Sequence, residues 1–488
     1  MERIATGQTA DNPGAMRTYD LCVIGSGPAG QKAAIQAAKL GKNVCVIERR
    51  ELVGGNAINT GTIPSKALRE AILHLLGRES AMPRETDLRA ARAITLTGLL
   101  DSCQQVIRAE IDIVRKQLSA NEVDVIAGKA TFRDKNTIDV VGANASTSVS
   151  ATNVLIAVGT EPARPEGIPF DDGNVITSDE IVRMPQLPYS MIVVGGGVIG
   201  TEYASMLQAL GVKVTLIEGR PRLLDFVDSE ITEALQYHLR QSGMTLRLGE
   251  KVVKIAKKAH AGGKGLGSAD GVEVEATLES GKVVRADALM YAIGRQGNTD
   301  PLNLPAAGLN ADERGRIVVN EHFQTSVPNI YAAGDVIGFP ALASTSMEQG
   351  RLAACHMFGV KADAVAGELP YGIYSIPEIS MCGWTEERLT KENVPFESGI
   401  ANYREIARGQ LLGDDNGMLK LLIHQETHAI LGVHIIGTGA TELLHIGQAV
   451  MAFKGTAEYF VNTVFNYPTL AECYKVAALN GLNKLRNV

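Results

Sequence analysis

At 488 residues the chain exceeds what one hydrophobic core holds, and at about 150 residues per domain it divides into about three. A net charge of -7 with no long basic run excludes a surface built for nucleic acid or anionic membrane. Hydrophobic residues at 45%, with 51 glycines and only 5% aromatics, describe a glycine-punctuated α/β chain and exclude collagen-like and disordered readings.

Residues 1–17 are polar and lack the apolar centre of a signal peptide, and nowhere do 18 apolar residues run together, so a disordered tail on a cytoplasmic protein is expected. Tyr19 to Leu40 then reads as strand, glycine turn and alanine-rich helix, with Gly25, Gly27 and Gly30 in the GxGxxG spacing. Such a turn exposes backbone N–H groups to a pyrophosphate at a helix N-terminus, and its third glycine permits close helix–strand packing. The next apolar run ends in Glu48, 23 residues after Gly25, where a carboxylate can accept from both ribose hydroxyls of an adenosine.

The stretch VGGNAINTGTIPSK follows, with no ionisable side chain between Glu51 and Lys66. A Gly54–Gly55 turn lets backbone approach a ligand closely. On this segment alone, Lys66 reads equally as a cofactor contact or as a surface lysine. Ala67 to about Ala120 is helix-like, and VDVIAGKATF, TIDVV and NVLIAVGTEPARP are strand-like. A linker around Arg164 to Pro188 marks a domain boundary.

The pattern then repeats: Gly195, Gly197 and Gly200 precede a helix, and a second strand ends in Glu218, again 23 residues on. Two such units imply two nucleotide cofactors. DALMYAIGRQGNTD parallels the earlier LIAVGTEP, so residues of about 160 to 293 read as an insertion. TSVPNIYAAGD returns to the first domain, with Gly334 turning the chain and Asp335 offering a carboxylate to a polyol. The remaining residues read as an α+β cap containing a strand hairpin, and His445 reads as an interface residue. Cys22, Cys45, Cys103, Cys355, Cys382 and Cys473 show neither CxxC nor metal-ligand spacing, so buried free thiols and no metal are expected.

Taken together, GSGPAG, the GGxxxxxGxIPSK stretch, GGGVIGTEYAS, YAIGRQGNTD and TSVPNIYAAGD resemble the flavoprotein disulfide reductases, the family of lipoamide dehydrogenase, glutathione reductase and mercuric reductase. The resemblance covers nearly the whole chain after the tail. It implies an α/β fold with two Rossmann-like dinucleotide-binding domains, for FAD (18–160 and 294–360) and NAD(P) (161–293), plus a C-terminal α+β dimerisation domain (361–488). FAD contacts are implied at Gly25, Gly27, Pro28, Ala29, Gly30, Glu48, Arg49, Gly54, Gly55, Asn56, Ala57, Thr62, Lys66, Ala130, Gly159, Gly334, Asp335 and Ala343. NAD(P) contacts are implied at Gly195, Gly197, Val198, Ile199, Gly200, Glu202, Glu218, Arg220, Arg222, Gly294 and Arg295. Glu202 would pair with Lys66 beside the flavin N5. A homodimer or larger homo-oligomer is implied, with no nucleic-acid or membrane partner.

The family writes its redox disulfide GGxCxxxxC, and this chain carries Ala57 and Thr62 at those two positions. Its usual HPTxxE becomes NYPTLAE, with Tyr467 where the histidine base would stand and Glu472 kept. A phenol, with an ordinary pKa of ~10, is a poor base near neutral pH. Both departures remove the disulfide half-reaction and leave hydride exchange with a nicotinamide. TGTIPSKALRE, DVIGFPALAS, TELLHIGQAVM and the carboxyl-terminal run resemble the branch that passes hydride between NADPH and NAD+ through the flavin, with ping-pong kinetics. An NAD(P)H-dependent quinone or dye reductase and a non-catalytic flavin-binding sensor are the alternatives. Glu218 suits a free 2′-hydroxyl, whereas Arg220 and Arg222 read either as a 2′-phosphate clamp or as solvated charges.

Overall fold

The computed structural model describes residues 16–77, 96–143, 145–171, 173–184, 186–259, 272–362 and 369–485. Most of the expected tail lies outside them, and Arg17 already opens the first strand. The chain divides into two compact units: residues 1–63, 107–161 and 295–365 form the first, and residues 64–106, 162–294 and 366–488 the second. The segments expected at 161–293 and 361–488 therefore lie almost wholly in one unit. The long helical stretch resolves into helices Thr62–Leu75 and Leu96–Ala120, and residues 78–95 between them lie outside the described residues.

In the first unit, strands Arg17–Ile24 and Val44–Glu48 pair in parallel with Leu21 opposite Val44 and Ile24 opposite Ile47. Both read as nearly continuous apolar runs because they lie inside a sheet buried on two faces. The sheet runs Asp124–Ala127, Val44–Glu48, Arg17–Ile24, Ser146–Ile156, Thr137–Val141, Lys129–Phe132, and Ile330–Ala332 also pairs with Ser146–Ile156. Helix Pro28–Lys39 starts with proline at its first turn, where a missing N–H costs no helical bond. A Cβ on Gly30 would meet the Gly25 carbonyl oxygen at 1.9 Å, which explains the third glycine.

The second unit repeats this construction. Strands Ser190–Val194 and Lys213–Glu218 lie parallel in a five-stranded sheet ordered Thr245–Leu248, Lys213–Glu218, Ser190–Val194, Ala288–Tyr291, Val175–Ile176. Helix Val198–Ala209 follows Gly197, and a Cβ on Gly200 would meet the Gly195 carbonyl oxygen at 1.8 Å. All residues from Gly200 to Ala209 are buried, because Leu68 and Ile72 of helix Thr62–Leu75 join Tyr203, Leu207 and the sheet in one core. The expected hairpin is present: Met418–His424 pairs antiparallel with Ile430–Ile436 inside a second five-stranded sheet. Helices Ala440–Ala452 and Glu472–Leu485 contribute Leu444, Tyr474 and Ala477 to the core of that sheet.

Candidate functional site: two nucleotide loops and a buried lysine–glutamate pair

The first loop is closed by Glu48, which is 6% exposed. Its Oε2 accepts from the Ser26 N–H at 3.0 Å and the Ser26 hydroxyl at 2.5 Å, and its Oε1 accepts from the Arg50 N–H at 2.9 Å. The Gly54 N–H donates to Ser26 Oγ at 3.0 Å, so the Gly-Gly turn is tied to the phosphate loop. Gly55 approaches so closely that a Cβ on it would lie 2.7 Å from Gly27 Cα. Two runs of side-chain-free backbone thus face each other, and a pyrophosphate fits there because only small residues leave N–H groups accessible.

Pro28 and Ala29 open the helix behind this loop, and Gly334 stands so near that its Cβ would lie 3.2 Å from that of Ala29. Asp335 receives only long contacts, 3.4 Å from the Thr160 hydroxyl and 3.5 Å from that of Ser346, which leaves acceptor capacity for a polyol. Asn56 Nδ2 donates to the Thr160 carbonyl. Arg295, expected at the NAD(P) site, belongs to the first unit and donates to the Thr160 hydroxyl at 2.7 Å and carbonyl at 2.8 Å. Ala57 lies in helix Gly55–Asn59, Thr62 begins helix Thr62–Leu75, and Ala343 begins helix Ala343–Met357. Ala130 is buried in strand Lys129–Phe132, Gly159 turns the chain at φ +64°, and Arg49 pairs loosely with Glu161 at 3.6 Å.

In the second loop, Glu218 Oε2 accepts from the Gly196 N–H at 2.7 Å, and Oε1 from the Arg220 N–H at 2.9 Å. The Arg220 guanidinium adds Nε to Oε1 and Nη2 to Oε2, both at 3.0 Å, and also binds Asp225. Burial works against the Glu218 charge, but the Arg220 guanidinium and the two backbone N–H groups outweigh it and hold its pKa below the ordinary value. Arg222 donates to Glu387 Oε1 and to the Asp225 carbonyl, each at 2.9 Å. Glu218 has therefore not turned away, and both arginines are engaged by acids. Gly197 caps the helix that Val198 and Ile199 begin, and Gly294 turns the chain at φ +84°.

Within the second unit, Lys66 Nζ lies 2.7 Å from Glu202 Oε2, with Glu202 only 5% exposed. Glu202 Oε1 accepts from the Tyr374 N–H at 2.8 Å, and the Lys66 ammonium stands 4.9 Å from the centroid of the Tyr374 ring. Buried Arg69, one helical turn beyond Lys66, donates to the Ser375 carbonyl at 3.2 Å and pairs with Glu378 at 3.1 Å, which fixes the segment carrying Tyr374. A buried carboxylate with both oxygens occupied and a paired cation beside an aromatic face holds its charge without mobility. Tyr467 is 75% exposed, while Glu472 Oε2 is buried without a hydrogen-bond partner. His445 bonds Gln448 at 2.8 Å, and all six cysteines are free and buried.

The sequence reading omitted Ser26, Thr160, Tyr374, Asp225 and Glu387. Ser26 was detectable as the hydroxyl residue inside GSGPAG. Tyr374 and Glu387 were not, because they lie 308 and 165 residues from Lys66 and Arg222. Among the described residues no helix is long and apolar enough to cross a membrane.

With this geometry in place, comparisons with known proteins become informative. The chain is 53% identical over 473 residues to a protein of Mycobacterium bovis (strain BCG / Pasteur 1173P2) named soluble pyridine nucleotide transhydrogenase, covering 96% of this chain and 98% of that one. A protein of the same name from Photobacterium profundum is 45% identical over 96% of this chain and 98% of its own length. Among solved structures, LpdA from Mycobacterium tuberculosis superposes with a TM-score of 0.83 at 24% identity over 95% of this chain and 99% of that one, a likeness of fold. The flavoprotein disulfide reductase RclA from Escherichia coli gives 0.82 at 26% identity, over 94% of this chain and 99% of its own. Residues 369–478 match the dimerisation domain described for pyridine nucleotide-disulphide oxidoreductases. Residues 19–350 match the main domain of that description, and this chain belongs to the pyridine nucleotide-disulphide oxidoreductase family.

Proposed function

We propose that the protein transfers hydride between NADPH and NAD+ by way of bound FAD, with no thiol relay. The observation that carries this reading is the Val53–Lys66 stretch. It keeps the Gly54–Gly55 turn and the Lys66–Glu202 pair yet has Ala57 and Thr62 at the thiol positions, while every cysteine is buried elsewhere. The names of the Mycobacterium and Photobacterium relatives support the same activity.

FAD, when bound, supplies the ring system that takes hydride from one nicotinamide and gives it to another. The chain's contribution is binding, orientation and charge. The Gly25–Gly30 and Gly54–Gly55 backbones take the pyrophosphate, Glu48 the adenosine ribose, and Asp335 the polyol chain. Gly195–Gly200, with Val198 and Ile199, take the exchangeable nucleotide, whose ribose faces Glu218. Lys66 places a fixed positive charge where electrons accumulate, and Glu202 and Tyr374 hold it there, so no reorganisation is needed during the reaction. Tyr467 and Glu472 close the site of a neighbouring copy in a homodimer, without acting on a thiol. Six free thiols fit a reducing cytoplasm.

The test is NADPH-dependent formation of thio-NADH from thio-NAD+, with quinone and lipoamide as rival oxidants. Parallel double-reciprocal lines and a rate well above the quinone rate are expected. Lipoamide turnover, or quinone turnover far exceeding thio-NADH formation, would sink the reading.

A further inference from the structure

Resting on that reading of the second loop as an exchange site, we infer that Asp225 and Glu387 are specificity-determining residues. They hold Arg220 and Arg222 away from a 2′-phosphate and set the discrimination between phosphorylated and unphosphorylated adenosine nucleotides. The two nucleotide classes differ at this position only by a phosphate of roughly -1.5 to -2 charge, so the local charges decide between them.

Every donor direction of Arg220 that the structure records points to an acid: Nε and Nη2 to Glu218, and Nη1 to Asp225. Arg222 gives Nη1 to Glu387 and Nη2 to the Asp225 carbonyl. Two guanidiniums thus face three carboxylates, and a dianion gains the arginines only by displacing acids. Lys251 is the third cation nearby. Its stem crosses Gly219, where a Cβ would lie 3.0 Å from Lys251 Cγ, and the Glu250 N–H beside it donates to the Glu218 carbonyl at 3.1 Å. Counting Lys251 brings the local balance to neutral, not to the positive charge a phosphate needs.

Glu387 is a fixed competitor. Burial opposes its charge, but Arg222 and the surrounding donors outweigh this and hold its carboxyl down at about 2, so it stays ionised at neutral pH. It also accepts from the Ser229 N–H at 3.1 Å. Its neighbour Glu386 binds Lys420 at 2.9 Å, and Lys420, fully buried, binds Asp228 at 2.9 Å. Asp228 in turn caps helix Ser229–Gln241 by accepting from the Glu230 N–H at 3.2 Å. The arginine loop and the Glu387 segment are thereby pinned to one buried lysine. The pairs themselves are weak, since Arg220, Asp225 and Glu387 are each at least 40% exposed.

The experiment is calorimetric titration of the FAD-loaded protein with adenosine 2′,5′-bisphosphate and with 5′-AMP. It is run on wild type, Glu387→Gln, Asp225→Asn and the double variant. Each substitution should raise the ratio of bisphosphate to AMP affinity about three- to tenfold, the size of one half-exposed charge pair, with the gain shrinking as salt is added. Adding Arg222→Met to Glu387→Gln should erase its gain. An unchanged ratio in the double variant, or a gain that survives Arg222→Met, would overturn the inference alone. A wild-type protein that binds neither probe overturns both the inference and the exchange reading beneath it.

Discussion

The two nucleotide loops are alike in backbone and different in dress. In each, a carboxylate 23 residues after the first glycine accepts from the N–H of the residue after that glycine and from the N–H two residues beyond itself. At Glu48 the remaining partner is the neutral Ser26 hydroxyl, which also accepts from Gly54 and so locks a second loop against the first. At Glu218 the remaining partner is the Arg220 guanidinium, 41% exposed and shared with Asp225. A closed, neutral clasp suits a cofactor that stays, and an open, charged one suits a nucleotide that exchanges and must be chosen. One backbone plan therefore serves retention or selection according to a few side chains.

That contrast is sharpened most by filling each loop in turn. Gly30→Val and Gly200→Val each drive a side chain into a carbonyl oxygen less than 2 Å from its Cβ. Gly30→Val should yield protein without yellow colour, whereas Gly200→Val should keep the flavin band and lose nearly all NADPH oxidation. Absorbance spectra of the two purified variants decide it, and matching losses would break the contrast. Next comes Lys66→Ala, expected to slow NADPH-driven bleaching of the flavin band by ~10²–10³-fold in rapid mixing, the size of losing one fixed charge donor. An unchanged rate would remove Lys66 from the mechanism.

Tyr374→Leu keeps the N–H that binds Glu202 but removes the ring beneath Lys66, a loss of ~0.5–2 kcal/mol of ammonium–aromatic attraction. It should cut the same rate about three- to thirtyfold, with Tyr374→Phe restoring it. The smallest effect concerns acid stability. A folded-state pKa below the unfolded value of ~4.3 contributes stability that is fully present above that value and lost as pH falls through the folded one. The melting-temperature gap between wild type and Glu218→Gln should therefore narrow as pH drops below the usual carboxylate range; a gap constant with pH would contradict the Arg220 clamp.

Much of this was legible because it is local. Glycine spacing, the 23-residue step to an acid, and the hairpin of Met418–His424 with Ile430–Ile436 are set by backbone sterics and by side-chain period, both written in consecutive residues. The absence of thiols at Ala57 and Thr62 was equally plain. The assignment of Arg295 to the nucleotide side followed its position next to Gly294, but its guanidinium is taken by the Thr160 hydroxyl and carbonyl of the first unit. The clamp expected from Arg220 and Arg222 needed Glu218 to turn away, and nothing adjacent in sequence could reveal that Asp225 and Glu387 would claim the arginines.

By itself, then, the sequence determined two phosphate-binding turns, their ribose acids, a lysine on a glycine-led helix and the loss of a disulfide. These follow from steric rules acting over a few residues. Only the tertiary structure decided which charges meet: Lys66 with Glu202 over the Tyr374 ring, and Arg222 with Glu387. Electrostatic partnership depends on distance in space and on burial, and folding brings together residues that the chain separates by more than a hundred positions.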